Sequence, residues 1–347
     1  MSGGVDSSVA ASLLVREGHQ VVGLFMRHGQ AEPTACSSTH QGCCSVADAD
    51  DARRVADRLG IPFYALNLEQ EFGRIVDYFV AEYTRGRTPN PCVMCNTWLK
   101  FGKLLEYAAS IEAEYVATGH YAQIVRREGV EPALCRAVDA GKDQSYVLFG
   151  IRRPTLARLL FPVGGYSKAE IRRMAAEQQL GVAEKPDSQE ICFVPDRDHA
   201  RFVRARRGSI DTSGEIVTSD GQRVGRHEGL EQFTVGQRRG LGVAFGERRY
   251  VVAIEPQSRR VVLGRREELA RGELSAAEAN WLVESPSGPL ACQVRIRYRA
   301  RTVPATVEPL PGDRFHVVFD QPTSGVAPGQ AAVCYQGDRV LGGGWIE

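Results

Sequence analysis

Ser2-Gly3-Gly4-Val5-Asp6-Ser7-Ser8 runs directly into Val9-Ala10-Ala11-Ser12-Leu13-Leu14. The two glycines let the backbone turn tightly and approach a ligand with no Cβ in the way. Ser7 and Ser8 suit the first turn or cap of the helix that Val9, Leu13 and Leu14 begin. A glycine turn that opens onto a helix N-terminus points several N–H groups at one spot, and the helix dipole favours a phosphate there. The stretch lacks the lysine that a Walker A loop places among the phosphates. It suits instead a grip on the pyrophosphate that leaves when ATP gives up AMP. Such a loop is expected to follow a buried parallel strand. Here the chain starts at the loop, so that strand, short and rich in Val and Ile, is expected upstream of Met1.

Length and composition set the frame. The 347 residues exceed one ordinary domain and suffice for two or three. A hydrophobic content of 43% can bury a sizeable core. No apolar run approaches the roughly 18 residues of a membrane span, and no signal peptide is visible. Both point to a cytoplasmic protein with no membrane partner. The net charge of +1 says nothing about nucleic acid, so any basic surface must be local. Nine cysteines in such a chain read as thiols, catalytic groups or ligands, not as a disulfide framework.

Residues 20–26 read as a buried strand and 61–66 as a second strand; residues 46–59 read as a helix with apolar residues near helical spacing, and 71–83 as a second helix. Residues 115–118 form a short strand that runs into Gly119-His120-Tyr121. This alternation predicts an α/β fold with a doubly wound parallel sheet, whose ligands sit at the carboxyl ends of the strands. Met26 and Gly119 fall at such ends, although each also suits a plain core or turn role. After about residue 195 the character changes. A short basic helix over 198–207 precedes strands at 215–217, 233–235, 250–255 and 260–263. From about residue 267 the pattern is strand and turn throughout. The reading is a catalytic domain over 1–196, a small central domain over 197–265 and a C-terminal β-barrel over 266–347.

Three segments carry further chemistry. In Thr88-Pro89-Asn90-Pro91-Cys92-Val93-Met94-Cys95-Asn96 the prolines predict a rigid, extended turn before a C-x-x-C, which suits a redox pair, half a zinc site or cluster ligation. Cys192 lies in Lys185-Pro186-Asp187-Ser188-Gln189-Glu190-Ile191-Cys192-Phe193, where its apolar neighbours also suit a buried inert thiol. Val294-Arg295-Ile296-Arg297-Tyr298-Arg299-Ala300-Arg301 alternates strictly. On a strand it would line four arginines along one face at intervals of about 6.5–7 Å, a ridge for a phosphodiester backbone or a charge-guarded edge.

Together these segments resemble the tRNA-specific 2-thiouridylase family of the PP-loop ATP pyrophosphatase superfamily. The resemblance runs nearly end to end through SGGVDSS, Gly42-Cys43-Cys44-Ser45, residues 51–56, GRTPNPCVMCN, ATGHYA, KDQSY, DSQEICF, TVGQRRGLG, APGQAAV and VLGGGWI. It implies ATP- and Mg2+-dependent insertion of sulfur at C2 of the wobble uridine of tRNA. Ser2, Gly3, Gly4, Val5, Asp6, Ser7, Ser8, Met26 and Gly119 match ATP-contacting positions. Asn90, Pro91 and Cys92 match the segment that meets the flipped target base. Lys142, Asp143, Gln144, Arg297 and Tyr298 match tRNA-contacting positions. Cys192 matches a cysteine that takes a persulfide from a sulfur-relay donor protein, and Cys95 matches one that assists release through a transient disulfide. Many members carry Asp where this chain has Cys92. Cys92, Cys95 and Cys192 then make a set like that which holds an iron–sulfur cluster in related tRNA-thiolating enzymes. A cluster-dependent route to the same product is the alternative mechanism, and a tRNA-binding protein with a decayed site the alternative class. Cys36, Cys43, Cys44, Cys135, Cys292 and Cys334 read as buried or incidental thiols.

Overall fold

The computed structural model describes residues 1–29, 46–187, 191–194 and 198–347. The 42–45 motif, Cys36, and residues 188–190 of the Cys192 stretch lie outside the described residues. The chain forms two compact units. The first holds Met1–Arg74, Cys92–Asp196 and Asp338–Val340, and the second Ile75–Pro91, Arg197–Gly337 and Leu341–Glu347.

The first unit is built around α1 (Val5–Arg16), in which Val5 and every residue from 8 to 14 is buried. A helix buried on every side through this stretch, with small residues where it is not apolar, belongs inside a core. After it come β1 (Gly23–Arg27), α2 (Val46–Leu59), β2 (Phe63–Asn67) and α3 (Glu69–Thr84), whose C-terminal part belongs to the second unit. Then follow α4 (Pro91–Met94), a π-helix (Cys95–Lys103), α5 (Leu104–Ser110), β3 (Val116–Ala117), β4 (Ala122–Arg127), β5 (Val130–Arg136), β6 (Leu159–Leu160) and α6 (Lys168–Glu177). β1 pairs with β2, and β3 with β6, all parallel. β1 and β2 are joined through α2, as a parallel α/β connection requires. Val5, Val9, Ala10 and Leu13 of α1 pack with Val55, Tyr121, Val163, Ile171 and Ala175. The β4–β5 hairpin is antiparallel and interrupts the alternation.

In the second unit α7 (His199–Arg206) is capped by the Asp198 carboxylate, which accepts from Arg201 N. A four-stranded sheet follows, in the order β8 (Arg223–His227), β7 (Gly214–Thr218), β10 (Arg260–Gly264), β9 (Tyr250–Glu255). Beyond it β11 (Ala270–Trp281), β12 (Leu290–Arg295), β13 (Val303–Leu310), β14 (Arg314–Ser324), β15 (Ala331–Gln336) and β16 (Arg339–Ile346) run in the order β11-β14-β13-β12-β15-β16. Pairing of β11 with β16 closes the barrel, which removes exposed edges. Val294, Val307, Phe315, Val317 and Cys334 fill it.

Two sequence expectations fail here. Residues 233–235 form no strand: Phe233 N donates to Leu230 O, and Thr234 N to the Gln237 side chain. Those groups are spent on a turn, although Phe233 is buried in the central core. The four-arginine strand face does not exist either, because β12 stops at Arg295. The Arg295 guanidinium donates to the Tyr298 carbonyl, and Ala300 N donates to Arg297 O at 3.0 Å. The chain turns there, so Arg297, Arg299 and Arg301 are exposed residues of a turn.

Candidate active site

Gly3 takes φ +71°, and a Cβ on it would lie 2.2 Å from the Asp48 carbonyl oxygen, so only glycine fits. Gly4 is the N-cap of α1 and supplies no side-chain cap. Ser7 and Ser8 do not cap either. Their hydroxyls donate back to the Gly4 carbonyl at 3.1 and 2.9 Å, and Ser7 Oγ accepts from Ser2 N at 3.0 Å. The loop is thereby braced from within while its helix start takes no side chain of its own, which suits an incoming anion.

Gly119, just after β3, sits against this loop. A Cβ there would meet Asp6 C and Ser7 N, both at 2.6 Å. Two residues on, Tyr121 O–H donates to Asp6 Oδ1 at 2.8 Å. Burial and the Asp6 charge push the Tyr121 phenol far up, so it stays a proton donor. Lys168 Nζ donates to both Asp6 oxygens at 2.7 and 2.9 Å, and pairs with Asp187 Oδ1 at 2.7 Å. Asp187 also accepts from Lys142 at 2.8 Å and Arg172 at 3.2 Å. Burial opposes its ionisation, but the Lys142 and Lys168 ammoniums outweigh burial and hold its carboxyl below the ordinary value. Lys185 Nζ donates to Gly3 O at 3.0 Å, and to Asp48 and Asp51 at 2.6 Å each.

Those contacts fasten the start of the Cys192 segment to the loop. Its other end is held by Phe193, which packs edge-on against Phe72 at 5.5 Å, and Phe72 stacks on His28 at 4.0 Å, just past β1. Between these anchors Cys192 is half-buried while Phe193 and Val194 are buried. Cys95 opens the π-helix, a form that often marks functional positions. Asn96 Nδ2 donates to Val147 O at 3.0 Å. Lys100 Nζ lies 3.4 Å from His120 Nε2, and His120 Nδ1 lies 2.6 Å from Thr118 Oγ1. Burial, then the Lys100 charge, drives the His120 pKa well below its ordinary value, so the ring is neutral. The helix that begins at Cys95 is thus tied to the Gly119 turn, and that turn abuts the glycine loop. The expectation of an extended turn at the thiols is corrected in part: Pro91 opens α4, a position where its missing N–H costs nothing, and both thiols lie on helix. Cys92 is exposed and Cys95 half-buried.

The remaining expected residues divide. Met26 is half-buried next to the end of β1. Asp143 is buried and serves its own loop, accepting from Ala137 N, Ser145 N and Ser145 Oγ at 3.0–3.2 Å. Gln144 Oε1 accepts from Tyr121 N at 3.0 Å, and Gln144 N donates to Tyr121 O at 2.7 Å. In the second unit, Gln330 Nε2 donates to Thr88 O at 3.0 Å, just before Asn90 and buried Pro91. Arg297 and Tyr298 lie on the turn after β12. Lys168 and Lys185 were not anticipated. The Ser167–Glu170 capping box, readable as S-x-x-E, is the signal for the start of α6.

The loop fits a nucleotide's phosphates, with Gly3, Gly4 and the start of α1 as the anion cradle. The iron–sulfur cluster of the alternative mechanism finds no ligand set among the described residues. Among the described residues no three His, Cys, Asp or Glu side chains converge as metal ligands, so Cys92, Cys95 and Cys192 are not gathered as the alternative, cluster-dependent route requires. Asp6, Asp48, Asp51 and Asp187 are each engaged by lysine.

Three family models match in series: a tRNA methyl transferase HUP domain over 1–196, a tRNA methyl transferase PRC-barrel domain over 201–265, and an aminomethyltransferase beta-barrel domain over 271–346. The chain is 51% identical to the tRNA-specific 2-thiouridylase MnmA of Rhodopirellula baltica, covering 100% of this chain and 94% of that one. It is 46% identical to the protein of that name from Carboxydothermus hydrogenoformans, covering 100% and 96%. For the one from Geobacter metallireducens the identity is 50%, covering 100% and 95%. With this loop, these thiols and these three domains in one order, the chain belongs to the tRNA-specific 2-thiouridylase (MnmA) family.

Proposed function

We propose that this protein is a tRNA-uridine 2-sulfurtransferase that acts in the cytoplasm on the wobble uridine at the expense of ATP. Its working domains are 1–196 for catalysis, 197–265 as the central module and 266–347 as the tRNA-binding barrel. One observation carries the reading: the segment of Cys192 and the helix of Cys95 are both fastened to the surroundings of one anion-binding glycine loop within a single compact unit. The descriptions of the matching models mention methyl transfer and the relatives' names mention thiolation. The residues favour thiolation, since two thiols on segments fastened around such a loop suit sulfur chemistry.

The C2 oxygen of uracil is a poor leaving group. Its attack on the α-phosphorus of ATP expels pyrophosphate into the loop and leaves C2 bonded to O-AMP. The terminal sulfur of a Cys192 persulfide, loaded by a sulfur-relay donor protein, then attacks C2 and AMP departs. Attack of the Cys95 thiolate on the Cys192 sulfur releases the C2 sulfur as the thiocarbonyl and leaves a Cys95–Cys192 disulfide. An external thiol reductant resets it. Asn90, Pro91 and Cys92 receive the flipped base. Lys142, Asp143 and Gln144 shape the rim toward the tRNA, with Arg297 and Tyr298 contacting it from the barrel. Ser2 to Ser8, Met26 and Gly119 hold the nucleotide.

The test is mass spectrometry of tRNA nucleosides after incubation with ATP, Mg2+ and a persulfide donor. 2-Thiouridine that forms only when ATP is present is the expected result. Thiolation without ATP, or none with every component supplied, overturns the reading.

A further inference from the structure

Asn90 and Pro91 belong to the second unit, and the next residue, Cys92, to the first. Their moorings are those of the barrel. Thr88 N donates to Pro328 O at 2.8 Å, and Gln330 Nε2 donates to Thr88 O at 3.0 Å. Gly329 takes φ +88°, and a Cβ on it would lie 3.0 Å from both Thr88 N and Thr88 O, so only glycine fits where these backbones meet. Arg87 ties the same stretch to β16: its Nη2 donates to Ile346 O at 3.1 Å, and its Nε to Glu82 at 2.7 Å. At Asn90 the hold passes to a side chain of α3. The half-buried Tyr78 accepts on its hydroxyl oxygen from Asn90 N, and its ring packs on Trp345 of β16, with centroids 6.2 Å apart. Burial, then the Glu82 charge one turn on, pushes the Tyr78 phenol far up, so it stays neutral. A residue before proline is confined to extended backbone, so a fixed N–H on Asn90 sets the direction of its Cα–Cβ bond. Tyr83, further along α3, serves the central module instead. Its hydroxyl bonds the Thr234 side chain, and its ring lies 4.9 Å from that of His199.

We propose that Tyr78 is a positioning residue for the wobble base, through which the barrel's last strand aims Asn90 and Pro91 at the uridine. The proposal rests on the reading above, in which these residues receive the flipped base. Barrel and base segment belong to one unit, so tRNA seated on the barrel meets a segment already aimed. Tyr78 touches neither the thiols nor the nucleotide loop in this role. It acts through the Asn90 backbone, and its loss is felt at the flipped base.

Tyr78→Phe in the full-length protein tests this, because it removes the hydroxyl and keeps the ring on Trp345. Single-turnover formation of 2-thiouridine at saturating tRNA is expected to slow about 10-fold, while tRNA affinity by filter binding stays within about twofold. A tRNA carrying 2-aminopurine beside the wobble uridine brightens when its neighbour leaves the stack. That signal should be smaller with Tyr78→Phe than with the wild type. Tyr83→Phe removes a hydroxyl from the same helix and should lower stability while leaving the thiolation rate and the 2-aminopurine signal at wild-type values. An unchanged rate in Tyr78→Phe, a rate loss explained by weaker tRNA binding, or an equal loss in Tyr83→Phe overturns the proposal. Circular dichroism and thermal unfolding check each variant. If Tyr78→Phe does not fold, Trp345→Phe, which loosens the packing side of the same hold, decides on the same two readouts. A wild-type protein that forms no 2-thiouridine would instead sink the functional reading itself.

Discussion

At the scale of single residues, Gly119 and Asp6 carry much of the site's geometry. Gly119 brings the end of β3 against the backbone of Asp6 and Ser7, with no room for a methyl group. Gly119→Ala should therefore cost about 1–3 kcal/mol of stability, as overpacking does, and weaken ATP binding with it. Thermal unfolding and an ATP titration check both, and wild-type values in each would refute the close packing. Cys192→Ser is expected to abolish 2-thiouridine formation while leaving tRNA affinity intact. Retained thiolation would remove this thiol from the chemistry. Asp6 itself was legible as part of a phosphate loop, but its partners Tyr121 and Lys168 were not, because they lie 115 and 162 residues away.

At the scale of elements, helix starts do the positioning. Pro91 opens α4, and the C-x-x-C then lies on helix at a spacing of three, on one face. The turn after β12 presents Arg297 beside Ser324 O at 3.5 Å. An exposed guanidinium on a turn reaches a phosphate as well as one on a strand. Arg297→Ala should weaken tRNA binding and lower the slope of log affinity against log salt by roughly one. Filter binding over a salt series measures this, and an unchanged slope would mean that the turn does not touch tRNA. The alternation of Val294, Arg295, Ile296 and Arg297 does follow burial, since Val294 and Ile296 are buried. It misled about the strand's end because the bond from Arg295 to the Tyr298 carbonyl, a three-residue reach, is invisible to a period-two pattern.

At the scale of the whole molecule, pH should act through buried rings before it acts through carboxylates. Burial lowers the pKa of His120 in the first unit, and of His199 and His227 in the second, each below 6.5. Below that value the unfolded chain takes up protons that the folded chain refuses, so stability falls as pH drops through this range. Asp51 and Asp187, held below 3.8, add a second loss at lower pH, as acid titrates them through their folded values. The melting temperature should therefore decline between about pH 7 and about pH 5, before the carboxylates titrate. His120→Gln should flatten that decline. A melting temperature that is constant across this range would contradict it.

The sequence by itself determined the phosphate loop, the parallel α/β alternation, the shift to a β-rich second half and the candidate thiols. These depend on local signals: glycine spacing, hydrophobic period and short motifs in a fixed order. Only the tertiary structure decided that Asp143 serves its own loop, that the arginine ridge is a turn, and that Lys168 and Lys185 bring charge to a loop that has no lysine. Ion pairs between residues more than a hundred positions apart leave no periodic trace in a chain. They exist only once the core around α1 has packed and carried their helices to the same place.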